Sequence, residues 1–331
     1  MKADYIFAAE ANNEFGGNMS KRICVIGGGR WGENHIRTLH EMGNLGAVVD
    51  MNASRLDELK EKYGMDIYTD LDEAISHGYD GYVVSTSAET HYAIGKKLLE
   101  LGLSTLIEKP MTMHIEESKE LVEIAERTGA NFMVAHILLF HPAINKIKEL
   151  IDCGAIGDVY YMYSTRIKFG VVRTEENVFE SFAPHDLATL NYFAGVPAEK
   201  MILHRGYFLQ KDICDYVLAY LEYPNNVKAH IQVSWLHPFK EQRVVVVGSK
   251  GMIWFDDAGD KQVRLCNKHI EWIDGVPTCQ ETESDIVPVD YSQMPLEREL
   301  RYFVEHVNCP PLYSTGGDGY ALVKALEESR K

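Results

Sequence analysis

What this sequence lacks narrows its class first. It has no basic excess: 49 acidic against 33 basic residues leave a formal net charge of −16. That excludes a broad nucleic-acid or anionic-membrane surface, although a helix N-terminus with one or two local cations can still hold a phosphorylated ligand. It has no paired cysteines. Cys24, Cys153, Cys214, Cys266, Cys279 and Cys309 form no CxxC and no zinc-type spacing. They read as isolated thiols in a reducing, cytoplasmic compartment. The 13 histidines show no HxxxH or His/Cys pattern, so no metal site is expected. No apolar run approaches the roughly 18 residues of a membrane helix. There is no internal repeat and no low-complexity tract. The opening "MKADYIFAAEANNEFGGN" carries only YIFAA between Asp4 and Glu10, which is not a signal peptide. Residues 1–18 read as a disordered extension, the alternative being an arm packed on a partner subunit.

What is present is an ordinary globular composition over 331 residues, 46% hydrophobic and 25% charged. That is enough for about two domains. From Lys21 to about Ala135, apolar runs (ICVIG, GAVVD, GYVVS, STLIE, NFMVA) alternate with amphipathic stretches, three of which end in glycine. Alternation of buried-type strands with helices predicts a parallel sheet covered on both faces. After about residue 142 strand-like segments follow one another, from VYYMYSTRIKF to GMIWFDD, interrupted by one helix at HDLATLNYFAG and closed by helices around PLERELRYFVEHV and GYALVKALEESRK. The expected fold is therefore α/β: a doubly wound parallel domain over residues 19–141, then an α+β domain over 142–331 with a large, open, mostly antiparallel sheet. A cleft between them is the expected ligand site.

Gly27, Gly29 and Gly32 fit G-x-G-x-x-G directly after the first strand. The first glycine makes a tight turn, the second lets backbone approach a pyrophosphate, and the third lets helix and strand pack. The second strand ends in Asp50, 18 residues past Gly32. An acid there can accept from ribose hydroxyls and repels a 2′-phosphate, which favours NAD over NADP. Asp50 could instead cap the next helix, a role Asn52 or Ser54 could also fill. Gly28 has no evident reason to be glycine. Arg30 and Trp31, inside the loop, are candidate cofactor neighbours. So are Ser85 and Thr86, which follow the strand GYVV, where Ser85, Thr86 or Ser87 could equally cap the next helix.

"STLIEKPMT" ends a buried-type strand with Glu108, Lys109 and Pro110. Strand carboxyl ends face the ligand crevice in a parallel sheet, and a lysine there can hold a substrate hydroxyl or relay its proton. A plain surface Lys–Glu pair is the alternative.

Together, "GGGRWGENH", "EKP" and "SFAPHDLATLNYFAG" resemble the glucose–fructose oxidoreductase / inositol dehydrogenase / MocA family, over essentially the whole chain from Lys21. The resemblance implies an NAD-dependent dehydrogenase. Lys109 would lie beside substrate and nicotinamide, Glu108 would belong to the cofactor site, and His185 would be the second catalytic group. It implies a cis Pro110. Ser181 stands where many members carry an acid, so a carboxylate–histidine relay of that form is absent, and Asp186 could orient His185 instead. "VVRTEENVFESFAPHD" is similar to the subgroup that oxidises the 3-hydroxyl of UDP-linked N-acetyl amino sugars, whose ketone feeds an aminotransferase. Arg173, Asn177, Lys240 and Arg243 are then candidate substrate contacts. His136 and His141 lie at the domain junction, where packing is favoured over a ligand role. A free sugar or inositol is the alternative substrate. A non-catalytic nicotinamide-binding regulator and a lyase or hydrolase that returns its hydride are the readings of other classes. The family's second-domain sheet also implies a homodimer or homotetramer.

Overall fold

The computed structural model describes residues 21–281 and 283–330; the extension over residues 1–18 lies outside the described residues. Six short strands form a parallel sheet: β1 (Ile23–Ile26), β2 (Leu45–Val49), β3 (Asp66–Tyr68), β4 (Gly81–Val84), β5 (Thr105–Glu108) and β6 (Phe132–Ala135). Their order is β3-β2-β1-β4-β5-β6. Every residue of β1, β4, β5 and β6 is buried, because helices cover both faces: α1 (Gly32–Glu41), α2 (Ala53–Tyr63), α3 (Leu71–Ser76), α4 (Ala88–Glu100) and α5 (Ile115–Thr128). The order reverses between β1 and β4, which opens a crevice at the strands' carboxyl ends. The sequence pattern omits β3. It is three residues long and only Tyr68 in it is buried, so it carries almost no apolar signal.

A lone helix α6 (Pro142–Asp152) leads into β7 (Val159–Phe169) and helix α7 (Val178–Ala194). The remaining strands are β8 (Lys200–Gly206), β9 (Tyr216–Glu222), β10 (Lys228–Ser234), β11 (Leu236–Gly248), β12 (Met252–Asp256), β13 (Val263–Cys266), β14 (His269–Ile273), β15 (Val276–Gln280) and β16 (Asp285–Val287). Eight of these strands form one sheet in the order β16-β13-β12-β11-β7-β10-β9-β8, while β14 and β15 form a separate hairpin. Only β7 and β10 pair in parallel within it; the other ladders are antiparallel.

Two features differ from the sequence pattern. Helix α7 begins at Val178, well before His185, because Asn177 and Glu180 form a capping box there; it ends at Gly195 in the left-handed conformation. His185 is therefore inside the helix rather than at its N-terminus. The last helices, α8 (Pro295–Glu305) and α9 (Gly316–Glu328), return to the first sheet, although α9 also packs on α7. Asn131 Nδ2 donates to the His306 carbonyl at 2.7 Å, Ser104 Oγ to the Val307 carbonyl, and Met133 bridges Thr315.

Candidate functional site

The glycine turn follows β1. Gly27 takes φ +100°, and a Cβ on it would meet the Ser85 carbonyl oxygen at 2.8 Å. A Cβ on Gly32 would lie 1.9 Å from the Gly27 carbonyl oxygen, so α1 can start this close to the turn only with glycine. Gly29 is the opposite case, with nothing within 4 Å of a Cβ; the room there belongs to whatever occupies the groove. Gly28 also has a reason to be glycine. Its N–H donates to Asp50 Oδ2 at 2.7 Å, and a Cβ would meet Leu59 Cδ1 at 2.7 Å. Asp50 thus pins the turn from the end of β2, and its other oxygen accepts from Asn52 N–H at 2.9 Å. The cap of α2 is Asn52, not Asp50. Arg55, which the sequence did not single out, closes the turn by donating from Nε to the Gly28 carbonyl at 2.9 Å, and pairs with Glu33 at 2.6 Å.

A groove of about 800 Å³ runs over this turn, lined by Gly29, Arg30, Trp31, Asp50, Ser85 and Thr86 among others. Thr69, Asp70 and Leu71 form part of its wall. They follow β3 and were missed with that strand. Ser85 contributes backbone and bulk, since its hydroxyl donates to the Ile26 and Gly27 carbonyls at 3.2 and 3.0 Å. Ser87 occupies the cap position of α4 without a side-chain cap bond, so the helix-cap alternative for this serine–threonine run is not realised. The residues suit a dinucleotide: open space over Gly29, a helix N-terminus, and a carboxylate at the end of β2.

Lys109 and Glu108 part at the end of β5. Lys109 is exposed, and its peptide bond to Pro110 is cis. Glu108 is buried behind the groove wall. It accepts from His35 Nε2 at 2.8 Å, from the Trp31 indole N–H, and from its neighbour's backbone N–H at 3.1 Å. Burial alone would raise its pKa; the bond and charge of His35 and the Trp31 bond outweigh that and hold it below the usual range. Glu108 is thus neither a surface partner of Lys109 nor a lining residue of the groove.

Lys109 lines a second cavity of about 760 Å³ with His136, Arg173, Asn177, Ser181 and Arg330. His136 is buried at the cavity wall, and burial pushes its pKa down to about 4. It was expected as junction packing, yet it lies beside the site. His141 does pack: it caps α6 and its ring lies 5.2 Å from Phe255. His185 is half-buried on α7, next to the cavity residue Pro184. Burial and the charges of Arg166 and Lys109 push its pKa down to about 4, so it is neutral at pH 7. Asp186 does not orient it. That carboxylate is consumed by Ser164 Oγ at 2.5 Å and Arg166 Nε at 2.7 Å. Ser181 Oγ donates to Glu176 Oε1 at 3.1 Å, so a carboxylate reaches this helix turn from the preceding loop.

The four candidate substrate contacts separate. Arg173 lines the cavity and pairs with Glu176 at 3.6 Å. Asn177 lines it too, but its side-chain oxygen is occupied by the Phe179 and Glu180 amides of the helix cap. Lys240 is exposed on β11 and outside both cavities. Arg243 is held by Asp256 at 2.9 Å and does not line the Lys109 cavity. β11 pairs with β7, and its register places Arg243 in a small pocket with Arg166 and Asp186 instead of in the Lys109 cavity, which nothing local in "SWLHPFKEQR" reports.

A doubly wound sheet with this turn, whose β5 leads to Lys109 in the wall of a cavity and within electrostatic reach of His185 on α7, defines a nicotinamide-dependent oxidoreductase. Residues 21–136 match the model described as "Oxidoreductase family, NAD-binding Rossmann fold", and residues 144–254 match the GFO/IDH/MocA C-terminal domain. The chain belongs to the Gfo/Idh/MocA family, and its cofactor is NAD. It is 27% identical to the scyllo-inositol 2-dehydrogenase (NAD(+)) of Bacillus subtilis (strain 168), over 78% of this chain and 80% of that protein. It is 23% identical to the UDP-N-acetylglucosamine 3-dehydrogenase of Acidithiobacillus ferrooxidans, over 93% and 96%. A solved structure of the latter superposes with a TM-score of 0.79 at 21% identity, covering 93% of this chain and 96% of that one. Among the described residues no helix is long and apolar enough to cross a membrane, and no cluster of His, Cys, Asp and Glu could hold a metal.

Proposed function

We propose that this oxidoreductase dehydrogenates a secondary alcohol of a sugar or polyol in the cavity that Lys109 lines. One observation carries the reading. Among the described residues the Lys109 ammonium makes no ion pair, while it projects into a cavity within electrostatic reach of a neutral His185. The turn at Gly27, Gly29 and Gly32 and the amides opening α1 would hold the diphosphate of NAD, and Asp50 would accept from its ribose. NAD, when bound, supplies the hydride acceptor. Lys109 orients the substrate hydroxyl by donating to its oxygen. His185, neutral at pH 7, takes the hydroxyl proton, directly or through Lys109.

The ion pairs favour an uncharged ring. Arg173 is matched by Glu176 and Arg330 by Glu180 at 2.6 Å, which leaves little free cation for a diphosphate. Three arginines on the wall, Arg173, Arg205 and Arg330, support the second reading, a UDP-linked N-acetyl amino sugar oxidised at its 3-hydroxyl. The inositol and UDP-sugar dehydrogenases among its relatives fit one reading each. The outer face of the second sheet, where Tyr163 stacks on His230 at 5.0 Å, supports pairing of subunits into a dimer or tetramer.

The test is a panel of inositols, free aldoses, UDP-N-acetylglucosamine and its uronate, with NAD, read as reduced cofactor absorbance. Turnover on inositols or aldoses is expected, and turnover confined to the UDP-sugars would select the second reading. Lys109→Ala should lower kcat by about 10²- to 10⁴-fold. Full turnover in both Lys109→Ala and His185→Ala would remove both residues from the mechanism.

A further inference from the structure

Glu108 joins two openings that the rest of the chain keeps apart. Trp31 lines the nucleotide groove, and Lys109 lines the substrate cavity. Between them the Glu108 carboxylate accepts from the Trp31 indole and, at its other side, from the Lys109 backbone N–H at 3.1 Å. His35 Nε2, one turn into α1, adds a third donor at 2.8 Å, and its ring meets Trp31 edge-on at 6.1 Å. A carboxylate that gathers three donors away from water is a stiff connection, because charge-assisted bonds in a low dielectric are strong and directional.

The surroundings keep the charge on this residue. Glu299 of α8 is fully buried, and among the described residues neither of its oxygens has a hydrogen-bond partner. Burial and the nearby Glu108 charge push its pKa well up, so it is a neutral acid. His35 Nδ1 is likewise buried without a partner, and α1 and α8 pack against each other. Of the two buried carboxyl groups, the ionised one is the one on which the donors converge.

We infer that Glu108 is a positioning residue that couples the dinucleotide loop to Lys109, transmitting the placement of Trp31 through a buried carboxylate to the backbone that carries the lysine. This rests on the reading of Lys109 as the group that meets the substrate, and it adds that the lysine takes its working position only when the loop is filled.

The experiment uses ADP-ribose, which fills the loop but has no nicotinamide ring to cover the lysine. Acylation of Lys109 by a small amine reagent is followed by mass spectrometry, with and without saturating ADP-ribose. In the wild-type protein the labelling rate is expected to change by about threefold or more, toward the low end of what coupled neighbours show. Trp31→Phe keeps an aromatic ring at the groove and removes the N–H, and it should abolish the response at an ADP-ribose concentration that calorimetric titration shows to be saturating for the variant. Glu108→Gln should do the same, by turning one acceptor into a donor. Should Glu108→Gln lose its thermal transition, Trp31→Phe alone decides, since Trp31 is half-exposed and its loss leaves the core intact. An unresponsive wild-type Lys109, or a full response in Trp31→Phe, overturns the coupling. No sugar turnover enters this readout, so failure of the substrate reading would appear in the substrate panel and leave the labelling result standing.

Discussion

The nucleotide groove and the substrate cavity are about equal in size and are built in opposite ways. The groove is backbone geometry: three close approaches at Gly27, Gly28 and Gly32, and a carboxylate at a strand end that ties the turn through its amides. The cavity is side-chain electrostatics. Lys109, Arg173, Glu176, Glu180 and Arg330 come from a strand end, a loop, a helix start and the tail of the chain. A backbone site tolerates little change at its glycines and much at its walls. A side-chain site should show the reverse, with fold stability indifferent to residues that decide the substrate.

The sharpest contrast lies within the groove. Gly32→Ala places a methyl group 1.9 Å from the Gly27 carbonyl oxygen and 2.8 Å from the Ser85 hydroxyl. NAD binding should be lost, with a fall in thermal stability of several degrees, since overpacking of this kind costs about 1–3 kcal/mol or more. Gly29→Ala places a methyl group in open space. Its melting temperature should stay at the wild-type value while NAD affinity drops, as measured by calorimetric titration. Equal losses of stability in both variants would mean that the turn is not a preformed cradle.

The same contrast decides what could be read from sequence. The groove was legible because its parts lie within a short stretch and each has a local signature: an apolar strand, spaced glycines, an acid closing the next strand. Even there, Gly28 had no explanation until Asp50 and Leu59 were seen beside it, and the wall after β3 was missed because that strand buries one residue. The cavity was legible only at Lys109 and His185, through resemblance. Asn177, Lys240 and Arg243 were reasonable by residue type. Their partners, the amides of α7 for the first and Asp256 for the last, are set by capping geometry and sheet register, which residue type does not report. Asp186 failed similarly: adjacency to His185 in sequence put it on another side of the helix, where Arg166 claims it.

Acid should separate the two regions next. His136, buried in the cavity wall, and His185, half-buried next to the cavity residue Pro184, both have pKa values pushed down to about 4. Their unfolded values are near 6.5, so between about pH 6.5 and 4 the unfolded chain binds more protons than the folded one. Stability therefore rises with pH through that window and is lost on acidification. For the buried His136 the shift corresponds to about 3 kcal/mol once pH falls to 4. His136→Asn should flatten the dependence of melting temperature on pH between 6.5 and 4.5. In the same range the acid limb of kcat/KM should lie well below pH 6.5 if His185 is the base. A limb at the ordinary histidine value, unchanged in His185→Asn, would take the proton transfer away from it.

The smallest effect is expected where the sequence placed a substrate contact and the structure does not. Arg243 pairs with Asp256 at 2.9 Å on a side chain that is 39% exposed. Solvent screening limits such a pair to about 0.5 kcal/mol, or a shift of about 1–2 °C in melting temperature. Arg243→Ala should therefore lower stability slightly and leave KM for the sugar and for NAD unchanged, as should Lys240→Ala. A rise in sugar KM of about fivefold or more in either variant would be informative in a specific way. These side chains stand outside the Lys109 cavity, so the substrate would have to extend beyond it, toward the small pocket that Arg243 lines with Arg166 and Asp186 or toward a second subunit.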